Sequence, residues 1–174
     1  MIDDSWQEKT ISFFQRMLPF MVAVFMVLLN YLPSYIDVFN KIRPDFGLMA
    51  IYFWMLYRPD LFGLYSVAVL GLLDGAISSA ALGLDLFTYL LMYVLIMPLR
   101  NILIGRSFVV IWCVFIALSF GVLLVKWLLA TIYFGKILPV LALMLTILLG
   151  AAVYPVVSMM LAFVKKWFLQ DDEL

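Results

Sequence analysis

The sequence predicts an all-α membrane bundle, and three observations carry that expectation. Of 174 residues, 67% are apolar and 13% charged, with a mean hydropathy of +1.15, against about 45–50% apolar and about 25% charged in a soluble domain. The apolar residues come in long runs, as a hydrocarbon layer about 30 Å thick demands when about 20 residues are needed to cross it. Stretches such as VAVFMVLL and LALMLTILL are apolar on every side, whereas a spanning barrel needs segments of about ten residues that alternate polar and apolar.

Six apolar stretches are legible, at about 17–32, 46–57, 61–79, 84–99, 107–131 and 137–164. Between them stand the turn signals Pro33, Arg43-Pro44-Asp45, Arg58-Pro59-Asp60, Gly83-Leu84-Asp85, Pro98 and Gly135. Tyr31, Tyr35, Trp127, Tyr133 and Trp167 fall near the expected interfaces, where amphipathic rings collect. The short connections predict one six-span domain over residues 17–164, preceded by a cytoplasmic amphipathic segment (1–16) and followed by a cytoplasmic tail (165–174).

In the first segment Ser5 precedes Glu8 by three residues, as in a capping box, and Ile11, Phe14 and Leu18 follow at helical spacing. The acidic Asp3-Asp4 start is wrong for the positive n-region of a cleaved signal peptide. The second stretch is short: residues 45–58 as a helix reach only about 21 Å at about 1.5 Å per residue, so local thinning or neighbour packing is expected there. Asp45, Asp60 and Asp85 each open an expected helix, where a carboxylate caps exposed N–H groups. Pro44 and Pro59 accord with helix starts, and Pro155 should bend the sixth span.

Charge orients the bundle. With the N-terminus inside, the cytoplasmic pieces carry Lys9, Arg16, Arg58, Arg100, Arg106, Lys165 and Lys166, and the outer ones Lys41, Arg43 and Lys136. That asymmetry follows the positive-inside rule and puts both termini in the cytoplasm.

Asp74 lies deep in the third apolar run, where a carboxylate costs about 2.5–3.5 kcal/mol on insertion scales. Gly71, Gly75 and Ser79 repeat every four residues beside it, a small-residue face that admits a close helix. Asp74 therefore either pins a helix contact by hydrogen bonding or forms a proton or substrate site. Lys126 falls within the fifth run near its outer end, so that it and Asp74 both lie in the outer half of the membrane. It either snorkels to the headgroups beside Trp127 or pairs with Asp74 across the bundle.

Other residue types bound the chemistry. Eleven basic residues balance eleven acidic ones and no basic aromatic patch exists, which argues against nucleic acid. Histidine is absent and Cys113 is the single cysteine, so the commonest general base and any cysteine-based zinc site or internal disulfide are missing. There is no phosphate-cradling Gly-rich loop with Lys and Ser/Thr. A non-enzymatic protein with no cofactor is expected.

The stretch from Arg43 to about Arg100 resembles the bacterial rod-shape-determining MreD family. The matching elements are Arg43-Pro44-Asp45 at the start of the second span, a proline before the third, Gly71-Leu72-Leu73-Asp74 within it, then Leu82-Gly83 before another apolar span. One departure is Ser78-Ser79-Ala80-Ala81, where family members often place glycine in the turn. The resemblance implies a non-enzymatic inner-membrane subunit of the cell-elongation complex that makes lateral-wall peptidoglycan. It would bind the single-span protein MreC and work alongside the polymerase RodA, a penicillin-binding transpeptidase and, indirectly, the actin-like MreB filament. On this resemblance Asp74, Gly71, Gly75 and Gly83 define a bundle or partner contact, and Arg43, Pro44 and Asp45 set the outer end of span two. The family is also similar in fold to the substrate-binding S components of energy-coupling-factor vitamin transporters. A membrane subunit that binds a small, vitamin-like molecule is therefore the rival expectation.

Overall fold

A computed structural model describes residues 17–31, 43–78 and 83–168. These residues form six helices: α1 (Met17–Leu29), α2 (Phe46–Tyr57), α3 (Leu64–Ser78), α4 (Leu84–Leu103), α5 (Phe108–Phe134) and α6 (Val140–Phe168). Three of them, over Leu84–Leu103, Phe108–Phe134 and Val140–Trp167, are long and apolar enough to cross a membrane, while α1, α2 and α3 are shorter apolar helices. The expectations for Ser5, Glu8, Ile11, Phe14, Pro33, Tyr35, Lys41, Ser79 and Leu82 fall outside the described residues.

Local chemistry sets most of the helix ends. Asp45 caps α2 as expected, its carboxylate accepting the Leu48 N–H at 3.0 Å. Gly83 opens α4 with φ of 105° and Gly135 closes α5 with φ of 62°, a left-handed region where a side chain would be strained. Three expectations are corrected. Asp60 and Pro59 open no helix, because α3 begins only at Leu64 and Asp60 pairs with Arg58 in the turn before it. Asp85 does not cap α4, because the N-cap is Gly83 and the Asp85 carboxylate turns inward to other partners. Pro98 does not end α4 either, for the helix runs through it to Leu103. A membrane helix tolerates such a proline because neighbours and local adjustments re-satisfy the freed carbonyl.

Cross-helix contacts fix how the helices run. Trp112 Nε1 donates to the Ala151 carbonyl at 2.9 Å and Trp127 Nε1 to the Leu138 carbonyl at 3.2 Å, so α5 and α6 are antiparallel. Asp45 meets Tyr89 at one end and the Leu56 carbonyl meets Arg100 Nε at the other, so α2 and α4 run in the same direction. Tyr52 lies beside Tyr154 and Tyr57 beneath Lys165, which makes α6 parallel to α2 as well. The chain thus alternates direction along its length. One end of the bundle gathers the C-terminal ends of α1, α3 and α5 with the N-terminal ends of α2, α4 and α6.

The short helix α2 is the axis of this arrangement. Every residue from Gly47 to Leu56 is buried, including Tyr52, Trp54 and Met49 at 0% exposure. The Tyr52 hydroxyl donates to the Ile111 carbonyl at 2.8 Å, and the Phe115 and Tyr154 rings stack 4.1 Å apart beside it. Outward positions are apolar instead, with Phe25, Leu72, Val94, Leu148, Val156 and Met159 all exposed. A surface so greasy around an aromatic core is what lipid, rather than water, accepts.

Candidate functional site

Among the described residues the two buried acids, Asp74 and Asp85, sit together where α1, α3 and α5 end and α2, α4 and α6 begin. Asp74, 5% exposed, projects from the last turns of α3. Its Oδ1 accepts the Tyr31 hydroxyl at 2.6 Å, and its Oδ2 accepts the Tyr89 hydroxyl at 2.7 Å. Tyr31 also lies 3.0 Å from the Asp74 carbonyl oxygen. Two tyrosines from α4 and from the end of α1 thereby satisfy one carboxylate that burial would otherwise penalise. Tyr89 reaches a second acid too, for its hydroxyl oxygen stands 3.1 Å from Asp45 Oδ1.

A second acid forms the neighbouring pair. Asp85, 2% exposed, makes a 2.6 Å ion pair with Lys126 Nζ from α5 and accepts the Ser78 hydroxyl at 2.9 Å. Lys126 is an ion-pair partner, but of Asp85 rather than of the expected Asp74. At the rim, Arg43 Nη1 donates to the Asn30 carbonyl and the Phe46 N–H donates to Asn30 Oδ1 at 3.3 Å, tying the approach to α2 onto the end of α1.

Glycines make these approaches possible. A Cβ on Gly71 would stand 2.6 Å from the Leu86 Cα, so only glycine lets α3 lie this close to α4. Gly75 has ordinary room, with Asp85 and Gly83 atoms 3.9 Å from a would-be Cβ. The small-residue face of α3 therefore packs on the start of α4 as expected. Gly47 plays an equivalent role unforeseen in the sequence: the Tyr89 hydroxyl fills the place its side chain would take.

Beside the network lies a cavity of 720 Å³, within the range of about 300–1,000 Å³ usual for ligand pockets. Asn30, Arg43, Asp45, Asp74, Lys126 and Trp127 line its polar side. The first turns of α6, including Leu141, Ala142 and Leu145, form an apolar wall. Among the described residues no group of three or more His, Cys, Asp or Glu side chains is arranged to hold a metal ion.

The structure thus brings together Arg43, Asp45, Asp74, Gly71, Gly75, Gly83 and Lys126, residues drawn from separate parts of the chain. Asp60 stays apart, 3.4 Å from Arg58 in the connection between α2 and α3. Sequence reasoning missed Tyr31 as an acceptor's partner, Tyr89 and Gly47. Tyr89 carried one usable signal, its position one helical turn after Asp85 in an apolar run. No family model, curated protein or solved structure matches the chain.

Proposed function

We propose that this chain is a non-enzymatic, six-span subunit of the inner-membrane machinery that builds the lateral wall of rod-shaped bacteria, akin to the MreD family. It binds an MreC-like single-span protein and helps couple it to the RodA-type polymerase, the penicillin-binding transpeptidase and, indirectly, the MreB filament. One observation carries this reading: the short elements of the resemblance converge. Asp45 and Asp74 meet at the Tyr89 hydroxyl, and Gly71 abuts Leu86 just beyond Gly83. Motifs that serve a single junction constrain one another, and a junction of this kind gives a bundle a fixed face to offer a partner.

The orientation follows from the two unlike ends. Arg58, Arg100 and Lys165 lie together at one end, where Arg100 donates to the Leu56 carbonyl and Lys165 sits 4.9 Å from the Tyr57 ring centre. The positive-inside rule assigns that end to the cytoplasm, which puts both termini inside and the carboxylate network in the outer half of the membrane.

The 720 Å³ cavity favours a second reading, a membrane subunit that binds a small vitamin-like molecule for a transporter. A mild-detergent pull-down of the tagged protein from its native membranes, analysed by mass spectrometry, separates the two. Recovery of an MreC-like single-span protein with wall-synthesis enzymes is the expected result. Recovery of ATPase subunits and a coupling membrane protein instead would sink the scaffold reading and support the transporter.

A further inference from the structure

We propose that Asp45 and Asp74 hold one proton between them across the Tyr89 hydroxyl, forming a single proton-binding site on the wall of the cavity. Hydrogen counting is the first argument. Asp45 Oδ1, Tyr89 Oη and Asp74 Oδ2 stand in a row, separated by 3.1 and 2.7 Å. Two hydrogen bonds along that row need two hydrogens, and a tyrosine hydroxyl carries one. Neighbouring donors do not supply the other. Tyr31 gives its single hydrogen to the far side of Asp74, and the Leu48 N–H binds Asp45 from the helix side. The second hydrogen belongs to one of the two carboxyl groups.

Charge among the described residues points the same way. The site is faced by Tyr31 from the end of α1, Arg43 from the approach to α2, Asp74 from α3, Asp85 and Tyr89 from α4, and Lys126 from α5. The described α6 residues that line the cavity, such as Leu141, Leu145 and Thr146, carry no titratable group. Among these described residues three carboxylates stand against two cations, one proton short of neutrality. A surplus charge is expensive in so apolar a setting, and one shared proton removes it.

A third observation shows that the acid pair faces room for exchange. Asp45 and Asp74 both line the large cavity. Asp45 also lines a smaller one of 10 Å³ together with Ser119 and Thr146, a size that admits about one water molecule. Ser119 is 6% exposed, and its hydroxyl has no hydrogen-bond partner. A single water there would give the Ser119 hydroxyl a partner and Asp45 a polar neighbour. This inference holds whichever function the protein serves, since it concerns only what occupies the acid pair.

Infrared difference spectroscopy of the full-length protein in lipid nanodiscs tests the site. At neutral pH the protein should show one protonated-carboxyl stretching band per chain, shifted by transfer to D₂O and by carboxyl-¹³C aspartate labelling. Asp45→Asn and Asp74→Asn should each abolish it, because the amide then donates to Tyr89 and the remaining acid ionises. Asp60→Asn, at the exposed Arg58 pair, should leave it intact. The absence of a protonated aspartate in the folded wild type overturns the proposal without recourse to any variant, and a band that survives in either single variant overturns it too, since the proton then belongs to one acid alone. Two protonated aspartates per chain overturn it equally.

Discussion

Replacing Asp74 with leucine removes the nearest acceptor of two tyrosine hydroxyls, leaving Tyr89 with Asp45 Oδ1 at 3.1 Å and Tyr31 with the backbone carbonyl of position 74 at 3.0 Å. Tyr89 is fully buried and Tyr31 half-buried, and each short hydrogen bond lost costs about 0.5–1.5 kcal/mol net. Asp74→Leu should therefore lower the thermal unfolding midpoint in detergent markedly, whereas Asp74→Asn, which keeps a carbonyl acceptor, should lower it much less. Equal losses in the two variants, in protein that still folds, would mean that charge rather than hydrogen bonding matters at this position. The Lys126–Asp85 pair answers to a different rule. Removing one partner of a buried pair strands the other charge, at a cost of about 3–5 kcal/mol. Lys126→Met should be strongly destabilising alone, and Lys126→Met with Asp85→Leu should recover most of the loss. A double-mutant cycle from unfolding measurements gives the coupling directly. Asp74 was visible in the sequence because a carboxylate in an apolar run demands explanation. Its partners were not, since Tyr31 and Tyr89 look like ordinary membrane aromatics until the fold turns their hydroxyls inward.

At the scale of elements, the α3–α4 contact turns on one missing methyl group. Because a Cβ on Gly71 would meet backbone at 2.6 Å, Gly71→Ala forces α3 away from α4, and overpacking of this kind costs about 1–3 kcal/mol. Gly75→Ala meets only ordinary contacts at 3.9 Å, and its effect should stay within about 0.5 kcal/mol. Unfolding midpoints of the two variants should therefore separate clearly. If Gly75→Ala were as damaging as Gly71→Ala, the spacing of small residues rather than the close approach would be responsible. The four-residue spacing of Gly71 and Gly75 was readable in advance, but which glycine touches backbone depends on the helix crossing and was not. Pro98 teaches the converse. In a soluble chain it would end a helix, and here the bundle carries α4 past it to Leu103.

At the scale of the molecule, the helix positions were largely legible because lipid-matched apolar runs and turn residues are local signals. The expected stretches at 46–57 and 84–99 coincide with the whole of α2 and most of α4. The cavity was not legible, since its lining comes from the end of α1, the approach to α2, α3, α5 and the start of α6, which meet only in the fold. Sidedness can be measured directly. In a Cys113→Ser background, a cysteine at position 136 should react with a membrane-impermeant maleimide added to intact spheroplasts. Cysteines at 106 and 166 should react only after the membrane is opened. The reverse pattern would invert the orientation, and uniform labelling of all three would rule out alternation across the membrane.

The enclosure of α2 bears on how the protein is made. With Gly47 to Leu56 buried and a length of about 18 Å at about 1.5 Å per residue, this helix meets lipid on none of its sides in the finished bundle. During synthesis, however, it emerges before α4, α5 and α6, the helices that enclose it. Its native surroundings do not exist until the end of the chain has arrived. Biogenesis must therefore hold α2 in a provisional setting, and a chain truncated before α6 leaves its aromatic face, the side of Tyr52, open to quality control.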